Sequence, residues 1–176
     1  MIYPSSGTGA WEAALVNTLS PGDKVLMFET GHFAVLWRDM ALRLGLQVDF
    51  VPGDWRHGVD PAIVEQQLAE DRGRAIKAVA VVHNETSTGV TTRIPDGQRG
   101  RWTRRAIRRC SWSTPISSLG SIDYRHDEWG ADVTVSSSQK GMMLPPGLGF
   151  NAISAKALAA SSSAASAARR TGTGRR

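Results

Sequence analysis

One cysteine, two tyrosines and four phenylalanines are all that a chain of 176 residues holds of those types. Cys110 alone cannot close an internal disulfide, and a metal site would rest on four histidines and the carboxylates. His32, His57 and His126 show no ligand spacing among themselves, so no metal is expected. The longest apolar runs, such as residues 78–82, fall far short of the ~20 residues a membrane helix needs. No basic-then-apolar leader opens the sequence, so a cytoplasmic, soluble protein without a membrane partner is expected. With 41% hydrophobic and 21% charged residues, what is present fits one globular domain.

The formal charge of +5 is unevenly spread. Arg99, Arg101, Arg104, Arg105, Arg108 and Arg109 form one cluster, and Arg169, Arg170, Arg175 and Arg176 another. Neither contains an acid, so the rest of the chain carries 11 cations against all 16 acids. The body is acidic with basic patches attached. Such patches read as solvated stretches, and nucleic acid is not an expected partner.

Along the chain, strand and helix alternate. Residues 10–19 place Trp11, Ala14, Leu15 and Val16 at helical spacing, and Ser20-Pro21-Gly22-Asp23 stops the pattern. Residues 24–28 form a short apolar run between turn residues, the mark of a buried strand. Helical period returns over 33–44 and Gly45 ends it. A strand follows at 47–51. Asp60-Pro61 reads as an N-cap with proline in the first turn, opening a helix to Glu70. A strand over 77–82 comes next, and another is expected over 131–136. The alternation predicts an α/β layered domain with a largely parallel sheet. It fails over residues 96–115, DGQRGRWTRRAIRRCSWSTP, where a helix and a buried strand are due. Ordered, strand-like sequence is expected to resume near Ile116, and from Ala157 onward the Ala/Ser-rich and then Arg/Gly-rich chain predicts a disordered tail.

Three segments carry chemistry. Gly7-Thr8-Gly9-Ala10 opens a helix whose first amides face the positive end of the dipole, a natural phosphate site, although such turns also occur for purely structural reasons. No Lys-Ser or Lys-Thr follows at P-loop spacing. His83-Asn84-Glu85-Thr86-Ser87-Thr88-Gly89 lies just past a predicted strand, where open α/β sheets bind ligands, and equally suits turn chemistry. Ser136-Ser137-Ser138-Gln139-Lys140-Gly141 follows another strand. A lysine there becomes nucleophilic only by losing its proton, which burial or nearby positive charge would promote.

In order, SSGTGAWEAALVNTLSPGDKVL, ETGHF, HNETSTG, SSLGSIDYRHDEWGADV and SSSQKGMMLPPGLGF resemble class V aminotransferases, specifically the serine–glyoxylate and alanine–glyoxylate branch. The resemblance covers residues 3–95 and 116–160. It implies the cofactor pyridoxal 5′-phosphate and the three-layer, largely parallel sheet of the fold type I large domain, here incomplete. Residues 1–156 then form a partial cofactor-binding domain and 157–176 a tail, with the N-terminal arm and the C-terminal small domain outside the chain. By the same resemblance Lys140 links to the cofactor and shuttles a proton. Thr8, Gly9 and Ala10 cradle the phosphate together with Gln139, Phe33 stacks on the ring, and Thr86 lies near its O3′ edge. The implied reaction is transamination between an amino acid and glyoxylate or another 2-oxo acid, in a homodimer. Impaired activity is expected. A non-catalytic remnant with a basic loop, or a related pyridoxal-phosphate lyase or desulfurase, are the alternatives.

One departure carries that expectation. The family holds the pyridine nitrogen with an aspartate, and aligning on Ser118-Leu119-Gly120 puts Thr114 in its place. Regrouping the codon classes of residues 101–115 by one base permits L-D-A-A-G-H-P-A-L-L-L-V-D-T, a helix end and a buried strand with the missing acid. Trp102 before Thr103 nearly forces Asp, and Trp112 before Ser113 nearly forces Val. Residues 96–115 thus read as frame-shifted, which sequencing of the coding DNA checks.

Overall fold

A computed structural model describes residues 1–94 and 110–164. Its strands are β1 (Ile2–Pro4), β2 (Lys24–Phe28), β3 (Gln47–Val51), β4 (Ile76–Val82), β5 (Cys110–Thr114), β6 (Val133–Ser137) and β7 (Leu148–Ile153). They form one seven-stranded sheet in the order β1-β7-β6-β5-β4-β2-β3. β2 pairs in parallel with β3 and β4, β4 with β5, and β5 with β6. β7 runs against both neighbours, so it is the one reversed strand. The largely parallel α/β sheet expected from the alternation is therefore present.

The helices are α1 (Gly7–Thr18), α2 (His32–Arg43), α3 (Pro61–Glu70) and α4 (Ala155–Ser163). Alternating strand side chains feed two cores. Val25, Met27, Ala78, Ala80, Val82, Trp112, Val133 and Val135 pack with α1, α2 and α4. Leu26, Phe28, Val79 and Val81 pack on the other face with Val64 and Leu68 of α3 and with Trp129. Two helical layers thus enclose one sheet, as period-two strands buried on both faces require. Asp60 caps α3 by accepting from the Ala62 amide at 2.8 Å, as its place before Pro61 predicted. Among the described residues no helix is long and apolar enough to cross a membrane, and no metal-binding cluster occurs.

Two expectations are corrected. Ordered structure returns at Cys110, ahead of Ile116: β5 fills the slot between β4 and β6 with Cys110 and Trp112 on the face that packs with α1, α2 and α4. The serines between them hide the apolar period, yet Trp112 is fully buried and stacks on Trp37, ring centroids 6.4 Å apart. The expected tail is also too long, since residues 157–163 belong to α4. Ser154 caps that helix at the Ala157 amide (3.2 Å), Lys156 pairs with Asp132 at 2.8 Å, and fully buried Ala157 packs against the core containing α1. Both arginine clusters, and the rest of the tail from residue 165, lie outside the described residues.

Candidate active site

The carboxyl ends of β4, β5 and β6 stop beside the amino end of α1 and enclose a cavity of ≈ 230 Å³. In an open α/β sheet this is where ligands bind. Thr8, Phe33, Thr86, Gln139 and Lys140 all line it. Gly9 and Ala10 do not. Gly9 donates its amide to the Ser6 hydroxyl at 3.4 Å, and Ala10 is fully buried with its amide on the Ser6 carbonyl. The α1 contribution is therefore Ser6, Gly7 and Thr8, two residues upstream of the expected cradle. Helical advance explains the shift: only the first amides of a helix point forward without a partner.

Close packing sets that helix end against the sheet. A Cβ on Gly7 would stand 2.6 Å from Ile116 Cδ1 and 3.3 Å from Ser137 Oγ, so any larger residue there would have to push the Ile116 side chain aside. The lysine loop is seated similarly. Gly120 (φ +85°) lies where a Cβ would meet the Gly141 carbonyl at 2.8 Å, and a Cβ on Gly141 would run into the Leu119 carbonyl and Ser121. The Ser117–Ser121 turn and the residue after Lys140 are thus in backbone contact.

Phe33 is positioned by a carboxylate. Glu85, fully buried, accepts from the Phe33 amide at 3.3 Å, the Ala34 amide at 3.1 Å and the Ser87 hydroxyl at 2.8 Å. A negative group at the start of α2 satisfies amides that have no helical partner and faces the favourable end of the dipole. Asn84 is held as firmly, donating to Ser117 Oγ and accepting from Thr91 Oγ1, each at 2.9 Å. Sequence reasoning did not single out Glu85, Trp11, Val82, Ile116 or Ser137 as site residues, and reached Asn84 only as the amide of a segment suited to orienting a polar cofactor. All but Glu85 line the cavity. Glu85 and Asn84 sat inside the His83–Gly89 segment, but their partners lie up to 52 residues away.

The deep wall is neutral. Thr114, 2% exposed, accepts from Trp11 Nε1 at 2.9 Å and reaches the Val135 carbonyl at 3.5 Å. No carboxylate lines the cavity among the described residues, and Lys140 is its one charged side chain there. Lys140 itself is solvent-exposed. Behind the wall, His83 hydrogen-bonds Ser118 (2.7 Å) and meets the Tyr124 and Trp129 rings. Burial pushes its pKa down to about 4, against the pull of Asp123.

These groups suit pyridoxal phosphate in part. An anion fits the α1 amino end, and a flat ring fits beside Phe33. The Ser137 hydroxyl and the Gln139 side-chain oxygen are buried without a partner at the same cavity, a state proteins rarely leave unanswered. Among the described residues Thr114, and no acid, lines the cavity at the position where the resemblance implied an aspartate.

The chain is similar in sequence and fold to known proteins. The chain is 50% identical over 157 residues to a serine–glyoxylate aminotransferase of Hyphomicrobium methylovorum, covering 89% of this chain and 38% of that one. It is 46% identical over 164 residues to an L-aspartate–glyoxylate aminotransferase of Paracoccus denitrificans, covering 90% and 40%. The solved structure of an alanine–glyoxylate aminotransferase from a Nostoc species superposes with a TM-score of 0.84 at 29% identity, covering 92% of this chain and 41% of that one. The chain thus spans about two fifths of the length of these relatives. The family model described as aminotransferase class-V matches residues 1–169, and the chain belongs to that family.

Proposed function

We propose that the cavity holds pyridoxal 5′-phosphate and serves amino-group transfer between an amino acid and glyoxylate or a similar 2-oxo acid, at a strongly reduced rate in this chain. The observation that carries the reading is the meeting of Lys140, Phe33, Thr86, Gln139 and the α1 amino end around one cavity.

When bound, the cofactor supplies an aldehyde carbon for the amine and a conjugated ring that draws electrons. The rest falls to the protein. The Gly7 and Thr8 amides and the Thr8 hydroxyl would hold the phosphate, with the unpartnered Ser137 hydroxyl and Gln139 side chain available to complete its hydrogen bonds. Phe33 covers one ring face, and its place is fixed through Glu85. Thr86 offers a hydroxyl to the ring edge. Lys140 Nζ would hold the cofactor's aldehyde carbon and, when free, would take a proton from the substrate's Cα. Relatives named for serine and for aspartate as partners of glyoxylate make a small amino acid the donor class.

Reduced turnover follows from what the cavity lacks. No guanidinium lines it among the described residues to grip a substrate carboxylate, so binding energy for orientation is missing. The neutral Thr114 wall, which offers a charged ring nitrogen no counter-ion, favours the second reading of a cofactor binder without turnover. Titration with pyridoxal phosphate tests the proposal. A saturable visible absorbance band in the parent chain that is lost in Lys140→Ala supports it; the same band in both overturns it. Serine and glyoxylate added to the loaded chain then separate slow turnover from none.

A further inference from the structure

Resting on the cofactor reading above, we propose that Thr114 presents a hydrogen-bond donor to the ring nitrogen, so that this pocket holds pyridoxal phosphate with an unprotonated ring.

The argument is one of donor and acceptor capacity. An indole N–H can only donate, so the 2.9 Å bond from Trp11 Nε1 obliges the Thr114 oxygen to accept. That commits one of its lone pairs. The hydroxyl proton is left on the long 3.5 Å contact with the Val135 carbonyl, at the limit of hydrogen bonding. It is therefore the mobile group at the wall. A neutral pyridine nitrogen accepts such a proton; a pyridinium N–H would have only the second lone pair of a neutral hydroxyl, which gives its positive charge no counter-ion.

Trp11 cannot easily turn away to change this. It is 3% exposed and stacks on Trp37, ring centroids 5.6 Å apart at 15°, and Trp37 stacks in turn on Trp112. Trp112 is two residues from Thr114 on the same strand, so β5 both supplies the hydroxyl and packs the column that orients its donor. No Asp, Glu or His lines the cavity among the described residues, and the one cation, Lys140, disfavours a second positive charge nearby. An unprotonated ring draws electrons from Cα less strongly, which assigns part of the reduced turnover to the residue pair Trp11–Thr114.

The test is the nitrogen resonance of ¹⁵N-labelled pyridoxal phosphate bound to the full chain at pH 7. A shift in the neutral-pyridine range is expected, with Thr114→Asp moving it to the pyridinium range while the link to Lys140 persists. Thr114→Val, which removes the donor, is expected to weaken binding about tenfold. A pyridinium resonance in the parent overturns the inference while leaving the cofactor reading intact. Should neither parent nor variant bind the compound saturably, both readings fall. If Thr114→Asp does not fold, the parent spectrum alone decides.

Discussion

Glu85 lies three residues past the end of β4, yet its carboxylate holds the amide of Phe33 at 3.3 Å, across 52 residues of sequence. With the Ala34 amide on its second oxygen, it ties the amino end of α2 to the sheet and fixes where the Phe33 ring can lie. Glu85→Ala leaves the Phe33 and Ala34 amides and Ser87 without this acceptor. A loss of about 2–3 kcal/mol is expected, since buried donors lose a charged partner. Chemical denaturation measures it, and pyridoxal phosphate titration of the folded variant should show weaker binding. A variant as stable as the parent would contradict this role.

Gly120 is expected to be intolerant of a side chain. Its φ of +85° disfavours any L residue, and an added Cβ would press on the Gly141 carbonyl beside Lys140. Gly120→Ala should cost about 1–2 kcal/mol from the backbone conformation alone. The contact adds to that and displaces the lysine loop. Denaturation midpoints and the yield of cofactor attached at Lys140 should fall together; unchanged attachment would show that the two turns are not coupled.

His83 gives the fold an acid-sensitive point. Burial lowers its pKa to about 4, while an unfolded histidine titrates near ~6.5. Between those values the unfolded chain binds more protons, so stability falls as pH drops through the window. The contribution is complete above the unfolded value, and no further loss arises from this group below about 4. Urea midpoints at pH 7.5, 6 and 5 should decline in the parent, with a shallower decline in His83→Asn. An equal decline in both would assign the acid sensitivity to other groups.

How much of this was legible in the sequence depends on the range of the interactions. Strands β2 to β4 and helices α1 to α3 declare themselves because their apolar periods and stops are local, as in Lys24–Phe28 between Ser20-Pro21-Gly22-Asp23 and Gly31. β5 did not, because Ser111 and Ser113 interrupt the pattern and its stability comes from neighbouring strands. β1 has three residues and β7 is broken by Gly149, so neither offers a period to read. α4 is nearly all alanine and serine, a composition that looks like a tail until Ser154 and Asp132 are seen to anchor it. Lys140, Phe33, Thr86, Gln139 and Thr8 were legible through the family blocks. Glu85 as a clasp, and Trp11 as the partner of Thr114, exist only in three dimensions.

The central claim is that Lys140 and the α1 amino end share one cofactor cavity. Incubating the purified chain with pyridoxal phosphate, reducing with borohydride and mapping peptides by mass tests it most directly. A pyridoxyl adduct confined to Lys140, suppressed by inorganic phosphate competing at the α1 amino end, is the predicted result. Label spread over surface lysines such as Lys24, Lys77 and Lys156 with no preference for Lys140 would contradict it.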